Sequence, residues 1–208
     1  MLTNVKASLN EISFDLKDIE IRRDALIKNT RDVLNDCSKS IISLHRSEIT
    51  NATQQMERAK NTLDALREQA RTDLYKYIIV PEQELVEAYM LRAITEETLL
   101  PSFKELSVSG SSYLTGVLDC IGELKRMVYD RLRVGNPNEA TKLFLIMEEL
   151  YSLAYPFAVY DNIVPGLRRK LDVAKVLIED IRAIITEETR RQVIMTAMDN
   201  LKDKLEKS

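Results

Sequence analysis

No glycine or proline occurs in the first 80 residues of this 208-residue chain; all five of each lie at or beyond Pro81. A stretch without those residues has no ready means of making frequent tight turns, so sandwiches, barrels and propellers are excluded as its fold. What remains for an 80-residue segment with 45% hydrophobic content in the whole chain is long helix. The same scarcity removes the glycine-rich phosphate loops: neither G-x-G-x-x-G nor G-x-x-x-x-G-K-[ST] is present, which argues against dinucleotide-binding folds and P-loop NTPases.

Within that segment Leu2, Val5, Leu9, Ile12, Leu16 and Ile19 follow 3-4-3-4-3 spacing, the seam of a helix packed lengthwise on another. Leu26, Val33, Cys37, Ile41 and Leu44 extend it, so one helix is expected over about 3–46. Ser47 to Asn51 reads as a corner, followed by a second stripe from Met56 to Leu74 that reaches about Ile79. A third helix is expected over 82–106, ended or kinked by Pro101, then a loop at 107–112. Helices over 113–134, 138–154, 165–187 and 188–206 complete a single all-α domain, residues 1–208, of about seven helices. Asn-Pro-Asn after Gly135 is the clearest turn.

Charge and rare residues limit the chemistry. Thirty Lys and Arg against 33 Asp and Glu give a net charge of −3, so the whole chain does not carry the electrostatic signature of a nucleic-acid binder, although one face can. The N-terminal stretch is broken by charge every few residues and offers no run of about 18 apolar residues. A soluble, cytoplasmic protein without a membrane partner is the expectation. His45 is the sole histidine, which removes multi-histidine zinc sites. Cys37 and Cys120 fit no C-x-x-C pattern and read as reduced thiols near the core.

Two carboxylate pairs have the spacing that puts both acids on one helix face: Glu84 with Glu87, and Asp119 with Glu123. Four carboxylates from two helices would suit Mg2+ or Mn2+, hard cations that take oxygen ligands and bind phosphate oxygens. Gly116 lies about 20° from Glu123 on a helical wheel, an opening through which a substrate backbone could approach. Spacing alone is weak evidence, since Glu96-Glu97, Glu148-Glu149 and Glu187-Glu188 are equally conspicuous. Arg22, Arg23, Lys28 and Arg31 recur along the first helix and could follow a phosphate backbone, or could simply pair with Glu20, Asp24 and Asp32.

The segment Tyr113-Leu114-Thr115-Gly116-Val117-Leu118-Asp119-Cys120-Ile121-Gly122-Glu123-Leu124-Lys125-Arg126 resembles the Y-L-x-G-x-x-D-x-x-G-E-L-x-R core of the translin family, in particular its translin-associated factor X branch. Lys28-Asn29-Thr30-Arg31-Asp32 with Ser38-Lys39, Leu44-His45-Arg46, Gln83-Glu84-Leu85-Val86-Glu87-Ala88, Val134-Gly135-Asn136, and Lys170-Leu171-Asp172 with Lys175 and Glu179 agree in order and spacing. The likeness spans about residues 20–185.

The resemblance implies an all-α protomer in a closed, roughly octameric homo-oligomer enclosing single-stranded RNA, with single-stranded DNA as a second ligand. In the factor X branch it implies an Mg2+- or Mn2+-dependent endoribonuclease whose acids fall on Glu84, Glu87, Asp119 and Glu123. Lys28, Arg31, Arg46 and Arg126 would then position phosphates. Plain translin lacks the full acid set, so its non-catalytic nucleic-acid binding is the alternative. The short 107–112 loop departs from factor X, which has a long polar insert there, and leaves open whether a second subunit type is needed.

Overall fold

The computed structural model describes residues 2–206. Among these the chain forms α1 (Thr3–His45), α2 (Ile49–Ala70), α3 (Ile79–Thr95), α4 (Gly110–Arg133), α5 (Pro137–Ala154) and α6 (Leu167–Glu206), with short 3-10 turns at Tyr75–Tyr77 and Tyr155–Tyr160. No strand occurs among the described residues. The all-α expectation holds, with six α-helices in place of about seven. Two compact units divide the chain, one ending at Val117 and the other beginning at Leu118.

In the first unit, α1 runs 43 residues without a break. Leu26, Val33 and Cys37 pack with Ala59, Leu63, Leu66 and Ala70 of α2 and with Leu85 of α3 in one buried cluster. Burial of each such leucine is worth about 1.5–3 kcal/mol relative to exposure. The seam's first half behaves differently: Leu2, Val5, Leu9, Ile12 and Leu16 are exposed. The helix ends where Ser47 turns left-handed, φ 62°, letting the Ser47 and Glu48 N–H groups donate to the Leu44 and Ser43 carbonyls at 2.9 and 2.8 Å.

α3 is shorter than the sequence reading. Instead of continuing to 106 it stops at Thr95, where Glu97 takes φ 51° and the Thr98 N–H closes the helix on the Ala93 carbonyl at 2.9 Å. The following segment is pinned by the Tyr113 hydroxyl, which donates to the Pro101 carbonyl at 2.8 Å. α4 starts at Gly110 and absorbs half of the expected 107–112 loop.

Gly116 also differs from expectation. A Cβ there would lie 2.6 Å from the Gln83 carbonyl oxygen and 2.8 Å from Val86 Cβ, so the glycine serves close packing of α4 on α3 and is buried. It is no opening for a substrate. Helix propensity alone would make Gly116→Ala stabilising by about 1 kcal/mol. The contact is with backbone and a β-carbon, which cannot swing aside, so a net loss of about 1–3 kcal/mol is expected. A thermal melt that rises or stays level would contradict this packing.

In the second unit, Gly135 at φ 74° terminates α4. Asn136 N–H then donates to the Arg131 carbonyl at 2.9 Å, while the Asn136 side chain accepts from Glu139 N–H at 3.3 Å and Pro137 opens α5. One tetrapeptide thus caps two helices. Pro137–Tyr160 is long and apolar enough by composition to cross a membrane; its α5 portion buries Ala140, Leu143, Phe144, Met147, Leu150 and Ala154 and packs on α6. The expected helices 165–187 and 188–206 are one, α6, since the Glu187-Glu188 pair supplies no breaker. Leu167, Leu171, Ala174, Ile178, Ile181 and Ile185 are its buried stripe.

Candidate carboxylate and nucleic-acid site

α3 is held in place by a buried charge. Glu82 in its first turn is fully buried, near the positive end of the helix dipole. It accepts from Arg67 Nε at 3.0 Å, from the Tyr75 hydroxyl at 2.9 Å on both oxygens, and from the Ser109 N–H at 3.2 Å. Burial first, and the Glu82 carboxylate with it, holds the Tyr75 phenol above its ordinary range. Arg67 also pairs with Asp64. The next turn of α3 presents Glu84 and Glu87, both partly buried. Burial, and then the charges of Glu84, Asp36 and Glu87, push the Cys37 thiol upward. Cys37 and Cys120 are free and buried, as expected.

In the second unit, Asp119 and Glu123 stand one turn apart on α4, each partly buried. Glu123 lies 3.9 Å from Arg126, a loose ion pair. Asp119 is taken by a residue 51 positions away: Lys170 Nζ of α6 lies 2.5 Å from Oδ1 and also donates to Oδ2. A second bridge joins the same two helices, Lys125 Nζ to Asp180 at 2.9 Å. The Lys170–Asp119 and Lys125–Asp180 pairs advance together along both sequences, so α4 and α6 run parallel here.

Carboxylate oxygens are the donor type that Mg2+ and Mn2+ take, and Asp119 and Glu123 offer them from one helix face, as do Glu84 and Glu87. By donor chemistry the residues fit. Among the described residues, neither unit gathers three or more His, Cys, Asp or Glu side chains as a metal group, and Asp119 already has an ammonium on both oxygens.

The basic residues divide into two kinds. Arg22 is committed to Asp18 and Asp73, and Arg23 to Asp24. The Asp73 carboxyl is held below its ordinary range by the Arg22 guanidinium. Lys28, Arg31 and Arg46 are exposed, and no ion pair among the described residues engages them. Lys28 on α1 and Arg46, the residue just past its end, fall near one line along the helix axis, spanning about 27 Å at 1.5 Å per residue. Lys39, which spacing did not single out as a phosphate contact, is exposed and lies about 20° from that line. Arg126 is exposed on α4 and borders an open groove of about 1100 Å³ that Lys125, Arg133 and Arg191 also line.

Residues 21–185 match the translin family. The chain belongs to the translin family. All four expected carboxylates, the four expected bases and Lys170 lie inside that span. The uncharacterized protein MJ0175 of Methanocaldococcus jannaschii is 31% identical over 166 residues, 76% of this chain and 72% of that protein. Two solved structures show the translin-family likeness in three dimensions. AfC3PO in complex with duplex RNA is 28% identical with a TM-score of 0.80, over 89% of this chain and 98% of that one. Apo-NeC3PO is 26% identical with a TM-score of 0.76, over 89% and 97%. Outside the family span lie the exposed first half of the α1 seam and the last turns of α6.

Proposed function

We propose that this chain binds RNA and cleaves its phosphodiester bonds with Mg2+ or Mn2+, as a subunit of a closed homo-oligomer. The observation that carries the RNA reading is the likeness to AfC3PO, a structure solved with duplex RNA, over nearly that whole chain. Lys28, Arg31 and Arg46 add to it, because exposed cations without carboxylate partners are free to take phosphates. Arg126 of α4 is also exposed but is loosely paired with Glu123 at 3.9 Å, so it would take a phosphate only by leaving that acid. The cleavage reading rests on the acid set. Glu84, Glu87, Asp119 and Glu123 would hold one or two cations, which when bound would activate water and neutralise charge at phosphorus.

Assembly is part of the reading. Leu2, Val5, Leu9, Ile12 and Leu16 keep heptad spacing on an exposed face, which a second helix would cover. A monomer in light scattering at micromolar concentration would contradict the closed oligomer.

The test is incubation of the purified chain with end-labelled RNA, single-stranded and duplex, in Mg2+, Mn2+ or EDTA. Shortening that needs the divalent ion is expected. RNA that is retained but never shortened would overturn the nuclease reading in favour of non-catalytic binding of single-stranded RNA or DNA. The observation favouring that second reading is the Lys170 ammonium on Asp119.

A further inference from the structure

We propose that Lys170 is a resident counter-ion that a divalent cation must displace from Asp119, so that this lysine sets the affinity of the site for metal; the proposal rests on the nuclease reading above. Three observations carry it. First, the pair is exclusive: among the described residues Asp119 has no hydrogen-bond or ion-pair partner other than Lys170, and Lys170 none other than Asp119. Both carboxylate oxygens are occupied, and a hard cation that needs those oxygens competes directly with the ammonium.

Second, the bridge is not alone in joining α6 to α4. Lys125 and Asp180 also join these helices, and Leu177 reaches to within 4.0 Å of where a Gly122 Cβ would stand. Third, Lys170 has somewhere to go. Its side chain is 29% exposed and that of Asp119 30%, so the four-carbon stem can carry Nζ into water or onto a nearby phosphate oxygen. An arginine could not yield so readily, because its planar fork matches a carboxylate with two parallel bonds.

Opposite effects of two substitutions follow. Lys170→Met removes the competitor and should tighten Mn2+ binding about fivefold, the factor that corresponds to breaking one half-exposed ion pair. Lys170→Arg keeps the bridge and the fold and should weaken Mn2+ binding. Lys125→Met, which breaks the neighbouring bridge, should leave it unchanged, and Asp119→Asn should abolish the gain given by Lys170→Met.

The measurement is Mn2+ titration of the full chain without RNA, followed by the electron paramagnetic resonance of free Mn2+, with thermal melts of each variant. Equal or weaker Mn2+ binding by Lys170→Met, or unchanged binding by Lys170→Arg, would overturn the proposal. If either result accompanies Mg2+-dependent RNA cleavage by the unaltered chain, the nuclease reading stands and only the role of Lys170 falls. If no variant binds Mn2+ and the unaltered chain cleaves no RNA, both fall.

Discussion

Arg67→Met is expected to cost about 3–5 kcal/mol of stability, because it leaves the carboxylate of a fully buried glutamate without its cation. Glu82 has no exposed surface, and its remaining partners, the Tyr75 hydroxyl and the Ser109 N–H, satisfy lone pairs without cancelling the charge. For a chain of this length each kcal/mol moves the melting temperature by about 2–4 °C, so a fall of about 6–20 °C should appear by circular dichroism. The double variant Arg67→Met with Glu82→Gln should recover much of the loss, since it removes both charges together and leaves a side chain that Tyr75 and Ser109 can still bond. A single-variant melt within 2 °C of the unaltered chain would show that water or backbone shifts compensate the glutamate. Because Glu82 anchors the helix that presents Glu84 and Glu87, the single variant should also weaken whatever those two carboxylates bind.

The absence of early glycine and proline made α1 legible almost residue by residue, whereas α2, expected to reach about Ile79, ends at Ala70. The same logic misled where turns are made by other residues. Ser47, Arg71, Glu97 and Ser107 all take positive φ, a conformation that costs about 1–2 kcal/mol without glycine and leaves little local trace in sequence. Hence α3 ends at Thr95 and not near Pro101. Conversely, Glu187-Glu188 lies inside α6 because two like charges on a solvated face are tolerated at a cost of tenths of a kcal/mol. A one-residue motif was also ambiguous: Gly116 suits either a substrate or a neighbouring helix, and only the position of the Gln83 carbonyl decides for the helix.

The candidate site was half legible for a related reason. Pairs within one helix, Glu84 with Glu87 and Asp119 with Glu123, follow from the helical period. Lys170 could not be paired with Asp119 in that way, since 51 residues and a parallel α4–α6 packing separate them in sequence. The commitment of Arg22 to Asp73, also 51 residues away, was hidden by the same distance. It removes Arg22 from the bases available to phosphate, leaving Lys28, Arg31 and Lys39 exposed along α1 and Arg46 at its end.

Asp119→Asn and Glu123→Gln should each lower the rate of Mg2+-dependent RNA cleavage by about 10²-fold or more, the range found when one preorganised electrostatic group is removed from a reacting centre. Both substitutions keep side-chain shape, and both residues are partly exposed on α4, so melting temperatures should move little. RNA binding should be retained or tightened, because each change removes a negative charge from a surface that meets phosphates. This combination separates chemistry from binding: a folding defect would lower both, and loss of a phosphate contact would lower binding first. Asp180→Asn supplies the comparison on α6, an acid paired to α4 through Lys125 but outside the proposed set, and it should cleave at the unaltered rate. Undiminished cleavage by Asp119→Asn and Glu123→Gln would mean that the activity resides elsewhere on the molecule. Raised Mg2+ should restore part of the rate to Glu123→Gln, where one of several donors is weakened. It should restore less to Asp119→Asn, whose neutral amide also sets Lys170 free as an uncompensated cation beside the site.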